Sequence, residues 1–176
     1  MPIIQQTVDP RRGRGLPRRG TGFSLIELMV VVAVVAILAV VAYPSLTSVI
    51  NSNRLSSNAN ELVASLQFAR SEAIRRNARV SVCGSSNGTT CDGTWTNWIT
   101  ILDSDDSRVA IGAVRSPVQI TADQNEITYR PNGFATAAAI TVCIPTASPP
   151  ENRRVVSVTV AGRVATAAAN GGGICP

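Results

Sequence analysis

The chain has 176 residues, no histidine, and 16 basic residues against 11 acids, a formal charge of +5. That length holds one membrane-length segment and one modest globular domain. The absence of histidine excludes the usual Ser-His and Cys-His nucleophilic pairs and histidine-containing zinc sites.

Residues 1–22 (MPIIQQTVDPRRGRGLPRRGTG) carry Arg11, Arg12, Arg14, Arg18 and Arg19 and one acid, Asp9. Their prolines and glycines disfavour helix. Every basic residue of the chain is arginine, and setting these 22 aside leaves 11 arginines against 10 acids. The pI of 9.7 is therefore mostly a topology signal, since Lys/Arg beside a span stays cytoplasmic. It is not the footprint of a globally basic nucleic-acid-binding domain.

Phe23 to Ser48 follows. Nothing from Leu28 to Ala42 is polar and nothing from Leu28 to Asn53 is charged. A bilayer core needs about 20 largely apolar residues as helix. A run apolar all round fits lipid better than a soluble core. Glu27 interrupts its start, and an acid at that depth is costly. A basic segment before an apolar run fits a secretory signal cut after the run. It also fits a cut before it, at Gly22–Phe23, which leaves the helix on the mature chain.

Gly22-Phe23-Ser24-Leu25-Ile26-Glu27 resembles the type IV prepilin cleavage and methylation motif at every position. The resemblance implies that a prepilin peptidase removes residues 1–22 on the cytoplasmic side and N-methylates Phe23. It implies that Glu27 pairs with the new amine of Phe23 on the same or a neighbouring subunit during assembly. A helix-dipole role for Glu27, at most about 1 kcal/mol, hardly offsets burying the charge in a membrane. Pro44 falls where pilins commonly carry a helix-breaking proline.

Beyond Pro44, which should kink the helix, Leu55, Ala59, Leu62, Leu66, Ala69 and Ala73 recur at helical spacing. Glu72 and Arg76 stand in the favourable order four apart. The expectation is a helix over 23–77, about 80 Å long, apolar all round over 23–50 and amphipathic over 51–78. Residues 79–176 read as a β domain. Its strands are 79–83, 98–102, 108–114, 118–121, 126–130, 139–144, 154–160 and 163–166, with a small, flexible tail over 167–173. Asn87-Gly88, Pro131-Asn132-Gly133 and Ala161-Gly162 mark turns. The fold class is α+β: a long N-terminal helix packed on a small antiparallel domain of two sheets.

Cys83, Cys91, Cys143 and Cys175 all follow the span, which the leader places in an oxidising compartment. Four cysteines allow three pairings. Cys83–Cys91 would close a short Gly/Ser/Asn-rich loop and Cys143–Cys175 would pin the C-terminus. No paired CxxC spacing supports a metal site, and no cofactor is expected. Asp103, Asp105 and Asp106 lack the glycine and glutamate of a calcium loop, so a solvated turn is expected.

The order Cys83, Cys91, Trp95, Trp98, then Tyr129-Arg130-Pro131-Asn132-Gly133, then VTVAGRV is similar to the GspH/FimT family. Its members are minor pilins of type IV pili and minor pseudopilins of type II secretion. The resemblance implies a non-catalytic subunit of the bacterial inner membrane with a periplasmic C-terminal domain, placed in a filament or at a pilus tip. It implies prepilin peptidase, other minor and major pilins or pseudopilins and the inner-membrane assembly platform as partners. Members with Gly-Arg-x-Arg near the C-terminus are associated with DNA uptake. This chain has Gly162-Arg163-Val164-Ala165, with the second arginine absent. Arg163, with Arg153, Arg154 and Arg130, is the candidate DNA surface. Trp95 and Trp98 are candidate base-stacking residues.

Overall fold

The computed structural model describes residues 23–176, the side chains of Val41 and Pro44 excepted. Helical backbone, α1, runs Leu25–Arg76. Eight strands follow among the described residues: β1 Val80–Ser85, β2 Asn97–Leu102, β3 Ser107–Ala113, β4 Gln119–Ala122, β5 Glu126–Tyr129, β6 Ala138–Cys143, β7 Arg153–Val158 and β8 Val164–Ala169.

The described residues divide into two compact units, one ending at Ala39 and the other covering residues 40–176. In the first, the helical residues from Leu25 onward expose their large apolar side chains, as at Leu28, 59%, and Ile37, 68%. So much contiguous apolar surface marks a face that meets lipid or other protein. Among the described residues no single helix is long and apolar enough to cross a membrane. The stretches Leu25–Val40 and Ser45–Arg76 reach that length and composition only when taken together.

In the second unit the apolar stripe is the spine of the core. Leu55, Ala59, Leu62, Leu66, Ala69 and Ala73 are each at most 1% exposed. Each buried leucine there contributes about 1.5–3 kcal/mol. The helix ends where Asn77 takes the left-handed conformation, with φ 50°. The Asn77 N–H then reaches the Ile74 carbonyl at 3.3 Å and the Ala78 N–H the Ala73 carbonyl at 3.2 Å, which satisfies two orphan acceptors.

The strands form two antiparallel four-stranded sheets, in the orders β3-β2-β1-β5 and β4-β6-β7-β8. Alternation decides what each face does. In the first sheet Val80, Val82, Trp98, Ile127 and Tyr129 point to the helix. Cys83, Ile99 and Ile101 form a small cluster on the opposite face. Trp98 also donates its indole N–H to Ser65 Oγ on α1 at 2.9 Å, and Gly112 on β3 leaves room for its ring. In the second sheet Ile140, Val142, Val156 and Val158 complete the core.

Two details depart from the sequence expectation. The last strand continues through Ala169, so residues 167–169 are strand and not loose tail. The segment after it is tied down. Asn152 is fully buried; its Oδ1 accepts the Gly171 N–H at 2.7 Å and its Nδ2 donates to the Ile144 carbonyl at 3.0 Å. Cys143–Cys175 and Cys83–Cys91 are both disulfide-bonded.

Candidate processing motif and arginine surface

Gly22 lies outside the described residues, and so does the side chain of Pro44. Phe23 is 78% exposed at the entry to α1. Ser24 caps the helix: its Oγ accepts the Glu27 N–H at 3.2 Å and its carbonyl accepts the Leu28 N–H at 3.2 Å. Ser24-Leu25-Ile26-Glu27 thus has the S-x-x-E spacing of a capping box, a signal the sequence carries openly. Glu27 stands in the first turn, where a negative charge complements the helix dipole.

The four candidate arginines fall into two separate places. Arg163 follows the tip of the β7–β8 hairpin, where Thr159 N–H reaches the Arg163 carbonyl at 3.0 Å. Arg130 opens the turn closed by Gly133 N–H to the Arg130 carbonyl at 2.8 Å. These turns touch, because a Cβ on Gly162 would run into the Gly133 carbonyl. Arg130 and Arg163 are both exposed, and neither guanidinium has a hydrogen-bond partner among the described residues. Arg153 and Arg154 start β7, at the far end of the hairpin, roughly 20 Å from Arg163 at 3.4 Å per residue.

Those two arginines are engaged within the fold. Arg153 donates Nε and Nη2 to the Ile174 carbonyl at 3.2 and 2.8 Å. Arg154 donates Nη1 to the Glu151 carbonyl at 3.0 Å and Nη2 to Ser52 Oγ on α1 at 3.4 Å. They fasten the C-terminal tail and the helix. Sequence order could not show this, because hydrogen bonds to backbone carbonyls leave no pattern in side-chain types. Trp95 and Trp98 are 6% and 1% exposed, so neither offers a free ring face for stacking.

The acidic stretch after β2 is a turn. Asp103 Oδ1 accepts from Ser81 Oγ at 2.7 Å; the Ser107 side chain first, and then its N–H at 3.1 Å from Asp105 Oδ1, hold the Asp105 carboxyl below its ordinary pKa of 3.8. No metal-holding cluster occurs among the described residues. In the Cys83–Cys91 loop, Asp92 accepts from the Ser86 hydroxyl and from the backbone of Ser86 and Thr94; its pKa falls from 3.8 to about 2.

A long N-terminal helix whose second half packs on two small antiparallel sheets, entered through a prepilin-type motif, defines the pilin-like class. The family model "Type II transport protein GspH" matches residues 58–162, and the prokaryotic N-terminal methylation motif matches residues 17–43. The chain belongs to the GspH family. Two structures of the type IV minor pilin FimU of Pseudomonas aeruginosa are similar. One has 24% identity and a TM-score of 0.55, covering 66% of this chain and 90% of that one. The other has 23% and 0.53, covering 64% and 92%. The minor pseudopilin EpsH of the Vibrio cholerae type 2 secretion system has 12% identity and a TM-score of 0.53, covering 65% of this chain and 97% of that one. No curated protein matches the chain.

Proposed function

We propose that the chain is a non-catalytic minor subunit of a type IV pilus or of a type II secretion pseudopilus. A prepilin peptidase cuts between Gly22 and Phe23, methylates Phe23 and leaves the apolar helix as an inner-membrane anchor. The domain after it lies in the periplasm. The assembly platform then draws the subunit into a filament beside other minor and major pilins or pseudopilins, with Glu27 pairing to a Phe23 amine. Pro44 lets the helix adapt in the packed filament. One observation carries this reading: a complete motif, Gly22 to Glu27, stands directly before an apolar helix. Coexpression with a prepilin peptidase and mass spectrometry of the product tests it. A mature chain starting at Phe23 with one added methyl group is expected. A chain that keeps residues 1–22, or is cut beyond Ala42, would refute it.

A second reading, a DNA receptor on the same scaffold, is favoured by Arg130 and Arg163, which stand on touching turns without a hydrogen-bond partner among the described residues. Two free guanidiniums can neutralise phosphates without reading sequence. Retardation of double-stranded DNA over a salt series is the test. Binding that weakens with salt and is lost in Arg163→Ala supports it. No binding at low salt removes it.

A further inference from the structure

Four strands form the edges of the two sheets: β3 and β5 in one, β4 and β8 in the other. Open edges invite pairing unless they are blocked. Three of them are. β3 carries Arg108 and faces an irregular register at Thr100/Ile101. β5 is backed by the segment after it, through Arg130 N–H to the Phe134 carbonyl at 2.8 Å and Thr136 N–H to the Thr128 carbonyl at 3.0 Å. β4 is only four residues long and follows Pro117, which has no N–H to offer.

Among the described residues β8 has no such protection. Its six residues, Val-Ala-Thr-Ala-Ala-Ala, contain no charge and no proline. Because Thr159 and Arg163 form a hydrogen-bonded pair, strand alternation puts Ser157–Ala165, Val155–Ala167 and Arg153–Ala169 in the same class. Val164, Thr166 and Ala168 therefore turn both N–H and C=O away from β7, onto the open edge. The core also stops short here. Val156 is fully buried while its partner Thr166 is exposed, and Val164 is only partly buried against the core.

We infer that the β8 edge is a docking site for an extended segment of another polypeptide, added as an antiparallel fifth strand. The segment is free of proline. Its apolar side chains cover Val164, and it has an acidic residue at its C-terminal end. The acid follows from charge: antiparallel addition brings that end beside Arg163, an exposed guanidinium at the start of an otherwise uncharged strand. A second copy of this chain is a poorer occupant: antiparallel pairing of two β8 edges would set Ala169 and Asn170, which carry no charge, beside Arg163.

The test uses the full oxidised chain in detergent micelles and a short fluorescein-labelled peptide alternating threonine and valine and ending in aspartate. Saturable binding is expected. Thr166→Pro removes an outward N–H and no β7 hydrogen bond, and it should weaken binding roughly tenfold. Lysine in place of the aspartate should weaken it about threefold. In wild-type protein the amides of Val164, Thr166 and Ala168 should exchange at least about tenfold more slowly with peptide bound, while Ala165 and Ala167 are protected throughout. Equal binding by a folded Thr166→Pro variant would overturn the inference. So would unchanged exchange at saturating peptide in the wild type. Slowing without peptide that grows with protein concentration would assign the edge to a second copy and overturn it as well.

Discussion

Arg70 on α1 donates Nη1 to the carbonyl of Gly162 at 3.2 Å. The same guanidinium lies beneath two turn tips, one from each sheet: a Cβ on Gly162 would stand 3.2 Å from its Nε, and one on Gly133 3.3 Å. Ala135 N–H to the Val160 carbonyl at 2.9 Å joins the two turns directly. Both glycines have positive φ, 79° at Gly133 and 72° at Gly162. Gly162→Ala is expected to destabilise the domain by about 1–3 kcal/mol, since it adds strain to a clash with the Gly133 carbonyl. Arg70→Met should lose about 0.5–1.5 kcal/mol. Urea unfolding of both variants measures this, and a Gly162→Ala midpoint equal to wild type would disprove the close approach.

Tyr129 lies beside this contact and behaves differently. Its hydroxyl is buried without a hydrogen-bond partner among the described residues. Burial pushes its pKa from 10.0 to about 12, with Arg70 pulling the other way. Removing an unsatisfied polar atom removes its desolvation penalty while the ring keeps its packing. Tyr129→Phe should therefore leave the unfolding midpoint unchanged or raise it by up to about 1 kcal/mol in stability. A clear loss would mean that the hydroxyl has a partner.

Much of this architecture is legible in the residues. The stripe from Leu55 to Ala73 is the buried face of α1, because steps of three and four return to one side of a helix. The strands follow from period-two alternation and from glycine turns at Gly88, Gly133 and Gly162. The contacts that tie elements together are hidden. Arg70, Asn152 and Arg153 act on backbone carbonyls, which every residue possesses. Alanine favours strands weakly, so the residues alone end β8 at Thr166; its pairing with β7 extends it to Ala169. The candidate arginine surface divides for the same reason, since sequence spacing along a hairpin does not reveal which guanidiniums are already engaged.

Glu72 gives the fold an acid-sensitive contact. It takes bonds from Arg75 Nη2 at 2.6 Å and Arg76 Nε at 2.7 Å, and its pKa falls from 4.5 to about 2. The Arg75 hydrogen bond is the larger cause and Arg76 the next. A lowered folded-state pKa means that the unfolded chain binds the proton first as pH falls. The stability from this triad is thus present above about pH 4.5 and is lost progressively toward pH 2. Glu72→Gln should show a shallower fall of melting temperature over that interval than wild type. Identical slopes would mean that other carboxylates dominate.

The two disulfides should not contribute equally. Cys143–Cys175 spans 32 residues and Cys83–Cys91 only eight. Loop-closure entropy gives about 3.5–4 kcal/mol for the longer loop and about 2.5 for the shorter. Cys143→Ser with Cys175→Ser should therefore cost more in urea unfolding than the other double replacement. It should also raise amide exchange at Gly171, the residue held by Asn152. The reverse ranking would show that strand pairing and Asn152 already hold the tail.

The local helix role of Glu27 and the charge pairing proposed for it separate by experiment. As a cap partner and dipole complement it acts through backbone at the helix start, and Ser24→Ala, which removes the cap oxygen, should then matter as much as Glu27→Gln. As the counter-charge to a processed Phe23 amine, it needs a carboxylate. Glu27→Gln keeps the shape but not the charge, so it should abolish incorporation into sheared filaments while peptidase cleavage continues. Ser24→Ala should lower incorporation only modestly, in line with a cap of about 1 kcal/mol. Normal incorporation of Glu27→Gln would exclude the charge-pairing role and leave the first turn as a local helix signal.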